Sequence, residues 1–154
     1  MSRIPEIIAR AKKSADPSLL TAAIPYAGFM GITMEAMDAA DMQCSELRGV
    51  MRFTDMLVGN PVGPNLHGGT LGALLESTAI FQLLWSLEIA HIPKIINITI
   101  HYLRAGRPMD TYARGIITKH GRTVATVRVE AWQDALDRPI AVGYTHFLIR
   151  HKTT

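Results

Sequence analysis

Residues 60–87 read NPVGPNLHGGTLGALLESTAIFQLLWSL, and this stretch decides the fold. It opens as a loop with two prolines and a glycine, reaches His67-Gly68-Gly69, and becomes a long apolar helix running to about Ile89. The Gly-Gly sits at the helix mouth, where the first backbone N–H groups find no carbonyl inside the helix and stand open to an incoming oxygen atom. One carboxylate, Glu76, lies about two and a half turns in, among Leu71, Ala73, Leu74, Leu75, Ala79, Ile80 and Phe81. A carboxylate in apolar surroundings is costly without a partner, which marks Glu76 as a candidate functional acid. The competing structural readings are ordinary glycine capping, a glutamate suited to the helix dipole, and a His67 that caps the helix or packs as a ring.

A helix that is apolar nearly all round must be wrapped by other elements rather than laid on a surface. The last third of the chain supplies them. Four β-rich runs, Lys94–Arg104, Thr111–Lys119, Thr123–Gln133 and Pro139–Arg150, are separated by short segments with turn chemistry. Short connections imply antiparallel neighbours, so the expected order is a hairpin, one long helix, then an antiparallel meander. Within the first run, alternation puts Ile96, Ile98, Ile100 and Tyr102 toward the helix. It puts Ile95, Asn97, Thr99 and His101 outward or toward a partner. In the third run, Ala125, Val127 and Val129 alternate with Thr126, Arg128 and Glu130, the pattern of a half-exposed sheet.

Upstream of the loop, loose alternation over residues 31–57 predicts two strands around a turn at Asp38–Asp41. Before that, Pro5–Ser14 has the pattern of an amphipathic helix. Asp16-Pro17-Ser18 resembles an N-cap opening a second short helix through Ala23, which Pro25 stops. The class is α+β, with a helical arm over residues 1–25 added to a core domain over residues 26–154.

At 154 residues the chain has the size of one domain, and 48% hydrophobic against 19% charged residues leaves an apolar excess that suits a face buried against another subunit. A net charge of +3 is compatible with a polyanionic ligand such as a nucleotide phosphate but too mild for a nucleic-acid binder. The single cysteine, Cys44, excludes an intramolecular disulfide and fits a reducing compartment. Residues 1–25 lack the apolar core of a secretory signal, and Gln82, Ser86 and Glu88 interrupt the longest apolar run, so the expectation is a cytoplasmic protein without a membrane span. The six histidines show no ligand spacing, and no metal or other cofactor is expected. Ser77 lies in no nucleophile elbow, and there is no phosphate-binding glycine loop. Lys119-His120-Gly121-Arg122 reads either as a solvated hairpin or as a phosphate-binding corner, to which Arg104 and Arg107 contribute from a neighbouring strand end or another subunit.

Four segments together, Asn60…Leu66-His67-Gly68-Gly69, Glu76, Tyr102-Leu103-Arg104-Ala105-Gly106 and His120-Gly121-Arg122-Thr123, resemble the hotdog-fold acyl-CoA thioesterases of the phenylacetyl-CoA and 4-hydroxybenzoyl-CoA kind. The likeness covers roughly residues 30–150. It implies a hotdog fold, in which a curved antiparallel sheet of five to six strands wraps the long helix. It also implies a homo-oligomer, dimer or tetramer, with active sites between subunits, and hydrolysis of an acyl-CoA or aryl-CoA thioester. By the same resemblance the Gly68 N–H is the oxyanion donor and Glu76 the general base or nucleophile, while Asn60 and His67 hold water and substrate. Gly69, Ile95, Asn97, Arg104, Lys119 and Arg122 form the substrate- and CoA-binding set. The loop before His67 is one residue longer than in close relatives, which lets Asn65 stand in for Asn60, and Ile95 occupies a position where many relatives carry a hydroxyl. A thioester needs little help to expel its leaving group, so an oxyanion donor and a carboxylate can suffice. The alternatives are a non-catalytic acyl-thioester binder and a hotdog hydratase or dehydratase.

Overall fold

The computed structural model describes residues 4–37, 47–89 and 91–151. Three short helices, α1 (Ile4–Ser14), α2 (Ser18–Ala22) and α3 (Pro25–Phe29), precede β1 (Ile32–Ala36) and β2 (Leu47–Met51). A small ribbon of β3 (Val58–Asn60) and β4 (Asn65–Leu66) leads into the long helix α4 (Gly68–Ser86). Strands β5 (Lys94–Tyr102), β6 (Thr111–His120), β7 (Val124–Trp132) and β8 (Ala141–Leu148) follow. Six strands form one antiparallel sheet in the order β1-β2-β6-β7-β8-β5, and α4 lies across it as the hotdog architecture requires. Nine residues of α4 are buried, from Leu71 at the mouth to Leu84 near its end, against the helix-facing side of β2, β6 and β7. Ala125, Val127 and Val129 have no exposed surface while Thr126 and Arg128 are half-buried, as the alternation in the third run predicts, but Glu130 on the same side as Arg128 is buried. No helix among the described residues is long and apolar enough to cross a membrane.

The meander expectation is wrong at one place. β6, β7 and β8 are consecutive neighbours, but β5 pairs with β8, not β6. The connection over residues 103–110 crosses the end of the sheet instead of closing a hairpin. Eight residues suffice, because three strand spacings amount to roughly 14 Å. The crossing chain finds partners on the way: Leu103 and Arg104 N–H both donate to Ile140 O, Gly106 O accepts from Leu66 N–H, and Gln133 bonds both the N–H and the carbonyl of Arg107.

Other differences are local. Pro25 ends α2 as expected, yet it also opens α3, its fixed φ suiting the first turn of a helix. α4 ends at Ser86, three residues early, because Leu87 is extended and Ile89 forms a bridge with His151. A bulge between Ile95 and Asn97 breaks the alternation of β5. Ile95 therefore stands opposite buried Phe147 on the helix side instead of facing outward, and Ile96 is 58% exposed. The turn at Asp38–Asp41 and Cys44 lie outside the described residues. The arm is part of the single core, since Ile8, Ala11 and Leu20 are buried in the same cluster as Leu74 and Phe147.

Candidate active site

The mouth of α4 is fixed by three hydrogen bonds. His67 is the N-cap residue, and its Nδ1 accepts from Gly69 N–H at 2.9 Å, which places the proton of the neutral ring on Nε2. His67 O accepts from Thr70 N–H at 2.9 Å. Tyr102 Oη donates to Gly68 O at 2.9 Å, so the peptide between Gly68 and Gly69 is held at both ends. The Gly68 N–H is left over: it has no acceptor among the described residues. A side chain at Gly68 would meet the Tyr102 ring at 3.2 Å, which explains glycine there as a matter of close approach.

Glu76 projects from the same helix face as Gly69, Gly72, Ala73 and Ile80 into a pocket of about 540 Å³. The strand wall is Ile98, Ile100 and Tyr102, and Ile24 and Tyr26 close one side from the N-terminal arm. Glu76 makes no hydrogen bond or ion pair with a described residue. Burial raises its pKa above the ordinary carboxylate value, since the charged form loses hydration without gaining a partner. The arrangement combines a basic lone pair, an apolar chamber and, at the helix mouth, an unsatisfied donor.

The remaining predicted residues are less concentrated. Asn60 is exposed, and its Oδ1 accepts from Val62 N–H at 3.1 Å and Gly63 N–H at 3.5 Å, so it caps its own loop; Asn65 stands opposite it across the ribbon. Gly69 lines the pocket. Asn97 is on the outer face, 2.7 Å from His146 Nδ1. Arg104 borders a cleft of about 440 Å³ beside Gly68 and Tyr102. Lys119, near the end of β6, and Arg122, in the β6–β7 turn, lie at the opposite end of the sheet, so one chain does not bring them to Arg104.

The sequence reading missed Gly72, Tyr102, Ile24 and Tyr26 as site residues. For Gly72 a signal was present, because Gly69, Gly72 and Glu76 share one helix face, and a Cβ at Gly72 would come within 3.3 Å of Ile100 Cδ1. For the two arm residues nothing local announces the contact.

The chain is similar to known proteins. The thioesterase superfamily profile matches residues 63–139, which spans the helix mouth, Glu76 and the four strands β4 to β7. A crystal structure of a protein from Chromobacterium violaceum is 34% identical, with 96% of this chain and 99% of that chain covered and a TM-score of 0.76. A phenylacetic acid degradation-related protein from Ralstonia eutropha is similar at 24% identity over 92% of this chain and 98% of its own, with a TM-score of 0.73. A thioesterase from Haemophilus influenzae shares the fold at 20% identity, 82% coverage of both chains and a TM-score of 0.68. Among curated proteins none matches. With the helix mouth and Glu76 inside the matched segment, and a near full-length relative at 34% identity, the chain belongs to the thioesterase superfamily.

Proposed function

We propose that the chain hydrolyses an acyl-CoA or aryl-CoA thioester to the free acid and CoA. The observation that carries the reading is Glu76, a carboxylate without a partner among the described residues, facing a pocket of about 540 Å³ whose other walls are mostly apolar. In this reading the thioester carbonyl oxygen accepts a hydrogen bond from Gly68 N–H. Glu76 takes a proton from water as the water oxygen attacks the carbonyl carbon, or attacks that carbon itself. Collapse of the tetrahedral species breaks the C–S bond. In the water route the CoA thiolate recovers the proton from Glu76. In the direct route an anhydride between the acyl group and Glu76 forms, whose hydrolysis by water frees the acid, restores Glu76 and supplies the thiolate's proton. Hydrogen bonds aimed at the developing oxyanion supply the main stabilisation. Asn60 and His67 are proposed to hold water and substrate; His67 offers its Nε2–H and Asn60 its amide nitrogen, the other polar atom of each being in use. Gly69, Ile95 and Asn97 are proposed substrate contacts, and Lys119 and Arg122 are proposed CoA contacts.

The spacing of the two central groups argues for a homo-oligomer. Gly68 and Glu76 are eight residues apart on one helix, a rise of roughly 12 Å. A base and an oxyanion donor must both lie within about 3 Å of one reacting carbonyl. In the proposed assembly, Glu76 of one chain works with Gly68 of a second, antiparallel to it.

A thiol-release screen over short, medium, branched and aryl CoA esters tests the activity, with enoyl hydration assayed alongside. Glu76→Gln keeps shape and removes the basic lone pair; it is expected to lower turnover by about 10²–10⁴ with binding little changed. Turnover within a few-fold of the parent in a folded Glu76→Gln protein removes Glu76 from the mechanism.

A further inference from the structure

The two ends of the sheet differ in charge. Where β5 begins and β8 ends, a second cavity of about 280 Å³ is lined by His91, Ile92, Lys94, Leu148 and Arg150. Lys94 stands opposite Leu148 in the β5–β8 register. Ile149 N–H donates to Thr123 O at 2.9 Å and His151 Nε2 lies 3.2 Å from Gly121 O, so the turn carrying Arg122 is bound to the same strand end. Lys94, Arg122 and Arg150 have no carboxylate partner among the described residues. Glu88, close in sequence to His91, is held by Lys12 Nζ at 2.9 Å. Residues 89–109, 111–129 and 138–151 contain no acid at all. At the other end, where Arg104 leaves β5, the carboxylates of Asp110 and Asp134 pair with Arg52 and Arg107, and Asp137 adds a third.

Cations held around a cavity without counter-charge repel one another until an anion enters, and Lys and Arg are the side chains suited to phosphate oxygens. The cavity also adjoins the pocket of Glu76, because Ile92 lines both. Glu76 and Leu84 both line that pocket, and α4 rises roughly 12 Å from the first to the second. An extended pantetheine arm covers that distance.

We propose that Lys94, Arg150 and His91 bind the phosphate groups of the CoA moiety, so that CoA lies with its phosphates at the Lys94 end and its pantetheine arm along α4 toward Glu76. Arg104, at the nearly neutral end, does not hold them. The proposal rests on the thioester-hydrolase reading for the identity of the anion, and its test separates the two.

Binding of free CoA and of pantetheine, which lacks the phosphates, is measured by calorimetry for the parent, for Lys94→Gln/Arg150→Gln and for Arg104→Gln; no step of this measurement needs turnover. The double variant is expected to bind CoA at least about tenfold more weakly, with pantetheine unaffected and Arg104→Gln near the parent. In turnover, the double variant should raise KM for an acyl-CoA and leave KM for the matching acyl-pantetheine unchanged. The inference is overturned if the parent binds CoA no better than pantetheine, if the double variant, shown folded by an unchanged thermal midpoint, binds CoA like the parent, or if Arg104→Gln alone abolishes the preference. If CoA binding follows Lys94 and Arg150 while no thioester is turned over, the phosphate site stands and the hydrolase reading falls.

Discussion

Glu76 is the residue whose environment makes the clearest demand. Desolvation lifts its pKa, so the proton is held to higher pH than on an exposed glutamate. A base must be ionised to act, and the rate should therefore climb with pH through a midpoint above the ordinary carboxylate value; kcat/KM profiles of the parent and of Glu76→Gln, which should lack that limb, check this. For stability the sign is opposite: a raised folded-state pKa means stability increases as pH falls toward the unfolded value, and ionising Glu76 costs stability above it. A second residue carries a different cost. Thr78 is fully buried and its Oγ1 has no hydrogen-bond partner among the described residues, lying only 2.4 Å from where a Cβ on Gly49 would be. Thr78→Val keeps the shape and removes the orphaned hydroxyl, so denaturant unfolding should show a gain of about 1 kcal/mol. Glu76 was legible in the sequence because a lone acid in an apolar helix is a local anomaly. The Tyr102 bond to Gly68 O was not, since it joins residues brought together only when β5 docks beside α4.

Among the elements, the joint between β2 and β6 depends on one side chain. Asp110, just before β6, accepts from Phe53 N–H at 2.8 Å and from Arg52 Nη1 at 2.7 Å, which ties the segment after β2 to the start of β6. The Phe53 amide, with help from Arg52, holds the Asp110 pKa below its ordinary value. That stability is present above the unfolded-state pKa and is lost as pH falls through the lowered one. Asp110→Ala is expected to cost about 1–2 kcal/mol, read as a shifted urea midpoint at neutral pH that shrinks in acid. Most elements were legible, because period-2 and period-3.6 patterns are properties of the segments themselves. The place of β5 was not: a short connection predicts a hairpin, but Pro108 and the partners waiting at Ile140 and Gln133 draw residues 103–110 across the sheet end. The bulge at Ile95–Asn97 was equally hidden, and with it the side on which Ile95 falls.

For the whole molecule, the arm and the edge strand decide how a site is completed. Ile24 and Tyr26 give the arm a wall of the pocket, so the N-terminal helices belong to the site and not only to the core. β5 is an edge of the sheet with Ile96, Tyr102 and Leu103 more than half exposed, a liability that pairing with a second copy removes. Light scattering at micromolar concentration should give a dimer or tetramer; a monomer would count against the proposed pairing of Glu76 with Gly68 of a second chain. The open edge has one more consequence. Every second amide of β5 points away from β8, toward either water or a partner strand. In deuterated solvent those amides should exchange within moments when the strand ends the sheet and slowly when a second strand continues it. Diluting the protein while following only these amides would then report the assembly constant residue by residue, with the amides facing β8 as the internal standard.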